Sequence, residues 1–183
     1  HLFSDKLFVN TTAVFTDYNF AFEGGSSSFK FKLSSGVRDG NLKQDYTFYP
    51  NSLHNIKFGW NYTLHRFIPS STEASSNDVE FDTGEKVKIY GNEAAIYLLD
   101  DWSVNERFKV NYGMRLSMYQ HIGPFTRYFK NPYSGTTDST RTYTGGQPIK
   151  TYFGPEPRLS ARYLFRDNSS FKMGIAHNYQ YIH

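Results

Sequence analysis

The residues most able to recognise a ligand lie in the segment His121–Glu156, which is rich in aromatic and cationic side chains. Aromatic rings stack on the flat faces of sugars and peptides, and guanidinium groups bind carboxylates or phosphates. A connection of this length is usually functional or disordered, so we expect an external loop that contributes to substrate binding. The alternative is that its rings pack loop against loop. The candidate substrate-binding residues are Phe125, Arg127, Tyr128, Phe129, Tyr133, Arg141, Tyr143, Tyr152 and Phe153.

A second set of polar residues recurs at alternate positions of predicted strands. Such side chains need water, each other or a plug, because an unpaired charge is costly in an apolar medium. We therefore expect them to face a wet lumen, most of them as pairs within the wall that do not contact substrate. The set is Lys57, Asn61, His65, Glu93, Asp101, Lys109, Asn111, Arg115, Arg158, Arg162 and Lys172.

Catalytic chemistry has little support in the sequence. There is no HExxH, GxSxG or glycine-rich phosphate loop, and no cysteine. His54, His65 and His177 fall in predicted strands without a partner at ligand spacing. The acidic end of the segment 73–85 has oxygen ligands suited to calcium, although such carboxylates are more often solvated. We predict no enzyme activity, no catalytic residue, no metal and no cofactor.

The composition favours β structure. Aromatic residues make up 19% of the 183 residues, including 15 Tyr and 17 Phe. No run of 18 apolar residues is present, so the sequence predicts no transmembrane helix. The mean hydropathy of −0.61 fits a soluble protein or a membrane barrel with a polar interior. The net charge of +3 is small and argues neither for nor against a nucleic-acid partner, and we expect none.

The segment Glu106–Gln120 shows most clearly which element positions these residues. Its even positions from Phe108 to Met118 are all large and apolar, and its odd positions are polar or small apart from Tyr119. Side chains alternate between faces along a strand, so this pattern predicts a β-strand with one apolar and one wet face. An apolar face 11 residues long is about what a tilted strand needs to cross a bilayer.

Six other segments predict strands. Two irregularities are expected: a change of apolar face near Asp17 and a bulge within Gly36–Gly40. The segment Asn92–Leu99 also has helix propensity, which makes its strand the least clear. The predicted strands are Leu7–Phe22, Phe29–Phe48, His54–Phe67, Val87–Trp102, Arg158–Phe165 and Phe171–Tyr181.

The connections between these strands alternate in length. Tight turns at Pro50, Ser103 and Asp167 follow long connections, which places all the turns at one end of an up-and-down meander. Aromatic residues recur near strand ends, as interfacial girdles require, at Tyr49, Trp102, Phe108, Phe165, Phe171 and Tyr181. The predicted fold is all-β: part of an antiparallel up-and-down transmembrane β-barrel, with about seven strands. A soluble β-sandwich or lipocalin-like barrel is the alternative.

Two segments resemble the barrel of TonB-dependent outer-membrane receptors, especially the SusC-like kind: EAAIYLLDDWSVNERFKVNYGMRLSMY and GPEPRLSARYLFRDNSSFKMGIAHNYQYIH. The matching residues of the first are Leu98, Asp100 or Asp101, Trp102, Gly113, Arg115 and Tyr119. Those of the second are Pro157, Arg158, Ser160, Arg162, Tyr163, Lys172, Asn178, Tyr179 and Gln180. The stretch NSLHNIKFGWNYTLHRFIP is similar to a third strand of the family.

The resemblance implies a barrel of about 22 strands, closed by an N-terminal plug, in the outer membrane of a Gram-negative bacterium. It implies active import of a bulky nutrient, such as a glycan, peptide or siderophore. The implied partners are outer-membrane lipid, TonB and a SusD-like surface lipoprotein. We expect residues 1–183 to be part of a single transmembrane barrel domain, with the plug and remaining strands outside this chain. A passive porin or a structural barrel of a secretion or adhesion complex is the alternative.

Overall fold

The computed structural model describes residues 2–26, 29–76, 79–82 and 88–181. Every regular element in these ranges is a β-strand. No helix of the described residues is long and apolar enough to cross a membrane. The strands are β1 (Leu2–Ser4), β2 (Leu7–Gly25), β3 (Phe29–Asn51), β4 (His54–Ser76), β5 (Val79–Asp82), β6 (Ile89–Ser103), β7 (Phe108–Ile122), β8 (Phe125–Lys130), β9 (Thr137–Tyr143), β10 (Pro148–Arg166) and β11 (Ser169–Ala176).

Seven of these strands form the main sheet as an antiparallel meander. Its order is β2-β3-β4-β6-β7-β10-β11, with β1 added at the β2 edge and β5 paired to the end of β4. Strands β8 and β9 form a separate hairpin between β7 and β10. Each long strand thus pairs with its neighbour in the chain, and the sheet is a half-barrel. The predicted fold class is confirmed.

The register assigns opposite characters to the two faces of the sheet. Residues directly opposite each other on neighbouring strands share a face. Trp60, Ile96 and Leu116 are aligned in this way across β4, β6 and β7, and we call their side the apolar face. Arg115 lies opposite Tyr97 and Glu156 on the other side, which we call the charged face.

The sheet encloses no hydrophobic core among the described residues. None of their large side chains is fully buried, whereas Ile96, Leu98 and Leu116 are 60%, 57% and 48% exposed. A soluble domain of this length buries roughly 70% of the surface of its unfolded chain around a core. The apolar face therefore needs an apolar environment outside the sheet, as the wall of a transmembrane barrel does.

Glycines on the charged face receive tyrosine rings from adjacent strands. The Tyr97 ring, from β6, covers Gly59 of β4, and Tyr119 of β7 covers Gly91 of β6. A β-carbon at Gly91 would lie 2.6 Å from the Tyr119 hydroxyl oxygen, so only glycine leaves room for the ring. These contacts bring the tyrosine rings against the backbone of the charged face.

The structure corrects three sequence expectations. Strand β4 continues to Ser76, nine residues beyond the predicted Phe67. Strand β10 begins at Pro148, so the predicted loop His121–Glu156 ends earlier than expected. Strand β11 ends at Ala176, because the facing part of β10 contains Pro155 and Pro157, which cannot donate backbone hydrogen bonds to a neighbour.

The C-terminal tyrosines also differ from the predicted strand. Tyr181 stacks on Tyr119 with ring centroids 5.9 Å apart, and its hydroxyl oxygen lies 2.7 Å from Ser117 Oγ. Tyr181 is therefore on the charged face and does not contribute to an outward girdle. The girdle residues Trp102, Phe108 and Phe171 do share the apolar face near the tight turns, whereas Phe165 lies at a register shift between β10 and β11.

The close approach at Gly59 leads to a stability prediction. A β-carbon there would lie 2.2 Å from the Gln44 carbonyl oxygen, whereas at Gly40 it would meet nothing within 4 Å. We expect Gly59→Ala to lower the free energy of unfolding by about 1–3 kcal/mol through overpacking. Gly40→Ala, the matched control, should change it by less than about 1 kcal/mol. Denaturant unfolding in detergent micelles measures both, and equal effects would contradict the proposed contact.

Candidate functional site

The hairpin β8–β9 stands on a narrow neck at the end of β7 and β10. Gly123 N donates to Gln147 O at 2.9 Å, and Gly146 N donates to Gly123 O at 3.0 Å. At the tip, Asn131 Oδ1 accepts hydrogen bonds from the backbone of Tyr133 and Ser134. These bonds fix both ends of the hairpin, so its side chains are held by local structure that does not involve the main sheet.

One face of the hairpin combines two guanidinium groups with aromatic rings. Arg127 lies directly opposite Arg141, and Phe125 lies opposite Tyr143. The Arg127 guanidinium carbon is 5.0 Å from the Phe129 ring centroid, and that of Arg141 is 5.0 Å from the Tyr143 ring. Like charges placed directly opposite destabilise a hairpin, and the rings offset part of that cost. Side chains of this chemistry can bind an anionic group with the guanidinium groups and a flat group with the rings.

The remaining candidate binding residues occupy three different places. Tyr128 is on the opposite face of the hairpin, across from Thr140, and Tyr133 is 98% exposed at the tip. Tyr152 and Phe153 are in strand β10, not in a loop. Phe153 lies opposite Met118 on the apolar face, and Tyr152 lies opposite Tyr119 on the charged face.

All eleven residues predicted to share a polar face lie on the charged face by their register. Their charges form a chain across five strands. His65 Nδ1 is 3.0 Å from Asp39 Oδ1, and its Nε2 is 3.6 Å from Glu93 Oε2. Arg115 lies between Glu93, at 3.5 Å, and Glu156, at 3.8 Å. This chain joins β3, β4, β6, β7 and β10 through side chains in addition to the backbone.

Glu156 is the most enclosed carboxylate in this chain of ion pairs. Its side chain is 7% exposed, Ser117 Oγ donates to its Oε1 at 2.6 Å, and Arg158 Nη2 lies 3.7 Å from its Oε2. Nearer the tight turns on the same face, Lys57 Nζ donates to Asp101 Oδ2 at 3.0 Å, and Asn111 donates to Asp101 Oδ1. Within the described wall, these acids are neutralised by neighbours on adjacent strands.

Cross-strand contacts supply partners for histidines that the sequence left unpaired. His54 Nδ1 is 2.6 Å from Asp100 Oδ2, and the Tyr112 hydroxyl donates to the same oxygen at 3.0 Å. This cluster lies on the apolar face near a tight turn, and Asp100 is buried. His54 and Asp100 are 46 residues apart in the sequence, a separation that carries no spacing signal because strand register brings the two together.

Beyond the apolar band, which ends at Met118 on β7, several ionisable groups have shifted pKa values. Burial lowers the pKa of His121, whose ring lies 5.6 Å from that of Phe125. The hydrogen bond from Arg38 lowers the pKa of Asp17. The hydrogen bond to Glu23 raises the pKa of Lys32. The last two pairs are solvent-exposed and contribute little to stability.

Among the described residues, no group of three or more His, Asp or Glu side chains is arranged to hold a metal ion. The calcium candidate, the acidic segment 73–85, has most of its carboxylates outside the part of the chain whose side chains are described. Its calcium binding stays a hypothesis from the sequence.

The position of Arg115 between two carboxylates leads to a prediction. Arg115→Met should lower the free energy of unfolding by about 2 kcal/mol, because the enclosed Glu156 carboxylate loses one of its two arginine neighbours. Lys57→Met, the control, should cost less than about 1 kcal/mol because both partners are substantially exposed. A double-mutant cycle with Glu156→Gln measures the coupling by denaturant unfolding. If the losses of stability from Arg115→Met and Glu156→Gln simply add in the double variant, Arg115 and Glu156 do not interact.

Comparisons with known proteins add one distant likeness. No protein-family model matches the chain, and no curated protein matches it significantly. It is similar to the open-form crystal structure of the ferric-catecholate import receptor Fiu from E. coli K12, with 18% identity and a TM-score of 0.47. The match covers 96% of this chain and 33% of that one, so this chain spans about a third of the receptor's length. At that level the likeness adds nothing to what the strand order establishes.

Proposed function

We propose that this chain is part of the wall of an outer-membrane transport protein of a Gram-negative bacterium. The protein imports a bulky nutrient through a plugged β-barrel with energy supplied through TonB. The resemblance of its strand segments to TonB-dependent receptors supports the TonB part of the proposal, and the two faces of the sheet support the membrane part. Outer-membrane lipid, TonB and a SusD-like lipoprotein are the proposed partners.

The exposed apolar face is the observation that carries the proposal. On β7 it runs from Phe108 to Met118, and Ile96, Leu98 and Leu116 on it are about half exposed or more. Because contiguous exposed apolar surface is unfavourable in water, lipid is the solvent that fits this face. The charged face then lines the lumen, where the chain of ion pairs around Arg115 can be hydrated.

The hairpin β8–β9 is the proposed substrate-capture element. It lies at the end of the sheet with the long connections, which in outer-membrane barrels is the external end. Its face with Arg127 and Arg141 fits a nutrient that carries a carboxylate or phosphate next to a sugar, aromatic or peptide plane. The residues proposed to contact substrate on this face are Phe125, Arg127, Phe129, Arg141 and Tyr143.

A charge placed on each face tests the membrane orientation. Leu116→Arg points a guanidinium into lipid and should cost about 2–4 kcal/mol near the bilayer midplane. Asn61→Arg, the control on the charged face, should cost less than about 1 kcal/mol. Folding in lipid vesicles, followed by the heat-modifiable mobility of the barrel in electrophoresis, measures the difference. A greater loss of folding stability from Asn61→Arg than from Leu116→Arg would place lipid on the charged face and reject the proposed orientation.

Uptake by cells that carry the complete protein tests energised import. Cells with the complete protein are offered labelled oligosaccharides, oligopeptides, ferric siderophores and cobalamin, with and without a protonophore. We expect at least one probe to accumulate, only with an energised membrane. Uptake that persists under the protonophore would indicate a passive porin instead.

Replacement of residues 125–143 by a short turn leaves the neck at Gly123 and Gln147 in place. It should abolish uptake while the barrel stays heat-modifiable. Arg127→Gln with Arg141→Gln should reduce uptake about tenfold or more, because charged hydrogen bonds contribute roughly 1.5–3 kcal/mol each. Thr126→Ala with Thr142→Ala, on the other face of the hairpin, is the control. Equal uptake by all variants would reject the capture role.

A further inference from the structure

A cluster of ionisable side chains lies on the apolar face, among residues that suit lipid. His54 of β4, Asp100 of β6 and Tyr112 of β7 each lie an even number of residues from the residue that defines this face on the same strand. We call these three residues the histidine cluster. The Asp100 side chain is only 10% exposed. Because an ionisable group on the lipid side of a membrane wall is costly, the cluster calls for a specific partner.

The bonds within the cluster leave the Asp100 carboxylate one source of compensating charge. Its Oδ2 accepts from the Tyr112 hydroxyl at 3.0 Å and lies 2.6 Å from His54 Nδ1. Its Oδ1 is buried and has no hydrogen-bond partner among the described residues. Ile56, directly opposite on β4, and Leu98, two residues along β6, are apolar. The positive form of His54 is therefore the form that offsets the carboxylate.

Trp102 favours the same form of His54 and fixes the plane of its ring. The two rings stack with centroids 5.7 Å apart and an interplanar angle of 10°. The face of an indole attracts a positive charge within about 6 Å. A positive imidazole donates from both nitrogens, and Nδ1 is directed at Asp100. Nε2 is then a second donor on the far side of the ring, and the His54 side chain is 28% exposed.

The position of the cluster along the strands indicates which acceptor Nε2 meets. His54 is the first residue of β4, and Asp100 lies three residues before the end of β6. The cluster is thus near the tight turns, beside the girdle residue Trp102. Headgroups flank the hydrocarbon layer, which is about 30 Å thick, and aromatic girdles lie at their level. Phosphate is the anion of phospholipid headgroups, and it accepts strong hydrogen bonds from a charged donor.

We propose that the histidine cluster binds the phosphate of one phospholipid headgroup on the tight-turn side of the membrane. His54 Nε2 donates to a phosphate oxygen, and Trp102 lies beside the bound lipid. Asp100 and Tyr112 are positioning residues, which hold the His54 ring and its charge. This inference rests on the proposed function, which turns the apolar face toward lipid.

Solid-state NMR of the complete protein tests the proposal through the dipolar coupling between histidine nitrogen and lipid phosphorus. The protein carries isotope-labelled histidine and is folded in vesicles of phosphatidylethanolamine and phosphatidylglycerol, in a buffer without phosphate. A hydrogen bond from Nε2 to a phosphate oxygen places nitrogen and phosphorus about 4 Å apart. We expect phosphorus to dephase one imidazolium nitrogen signal, and we expect His54→Phe, which keeps a ring on Trp102, to remove that signal.

His65 is the matched control, because its Nδ1 is 3.0 Å from Asp39 Oδ1 but it lies on the charged face. His65→Phe should leave the dephased signal unchanged. If His65→Phe removes that signal and His54→Phe does not, lipid lies on the charged face, and the orientation in the proposed function is wrong. Absence of any dephased histidine signal in a heat-modifiable barrel would overturn the lipid site and leave the proposed function standing.

Asp100→Asn separates a positioning role from a purely structural one. The substitution keeps the shape of the side chain and removes its charge. We expect the Nε2 chemical shift of His54 to move to that of a neutral imidazole, with loss of the dephasing by lipid. An unchanged chemical shift and unchanged dephasing would show that Asp100 does not set the charge of His54, and would overturn this part of the proposal.

A last arm separates lipid phosphate from free phosphate. The same labelled protein is measured in maltoside micelles, which contain no phosphorus, with inorganic phosphate added. We expect no dephasing of the His54 signal there, because the proposed site needs the lipid chains beside Trp102 to hold the headgroup. Dephasing equal to that in vesicles would identify a site for a free oxyanion and would overturn the proposal.

Discussion

The constraint on which the structure depends is that each long strand separates two different solvents. Backbone hydrogen bonds are made between neighbouring strands, so the side chains alone meet lipid or water. Alternation with a period of two then assigns each residue to one side, and a register error of one residue would reverse every assignment. This explains why Trp60, Ile96 and Leu116 align across three strands while Arg115 and Glu156 align on the opposite side.

Glycine and tyrosine have a joint role on the charged face. A wall that faces an open interior cannot fill that interior with packed side chains, so its large residues must lie flat. Gly59 and Gly91 provide the space, and the rings of Tyr97 and Tyr119 cover the exposed backbone. The Tyr97 hydroxyl also donates to Asp45, which links β6 to β3 across the intervening strand β4. The tyrosines thus stabilise the sheet where neither a core nor lipid can.

The sequence predicted the seven strands, their up-and-down order and the division of the faces, because all three follow from local alternation and turn spacing. It did not predict where β10 begins, because the strand contains three prolines, which are unusual inside a sheet. Pro155 and Pro157 are tolerated because they lie beyond the part of β10 that is in register with β11. The pairing of His54 with Asp100 and of His65 with Asp39 and Glu93 was also missed. Such pairs depend on the register between residues that are far apart in the sequence, and no local sequence pattern reveals that register.

The same register explains why charge is balanced over most of the wall but not at its β7–β11 edge. In the middle of the charged face, each acid lies within one strand of a base, so the wall is neutral there without help. Toward the tight turns, β10 and β11 contribute Arg162 and Lys172, and among the described residues no carboxylate lies directly opposite either of them. The unbalanced cations at this end therefore follow from which side chains the register brings together on β7, β10 and β11.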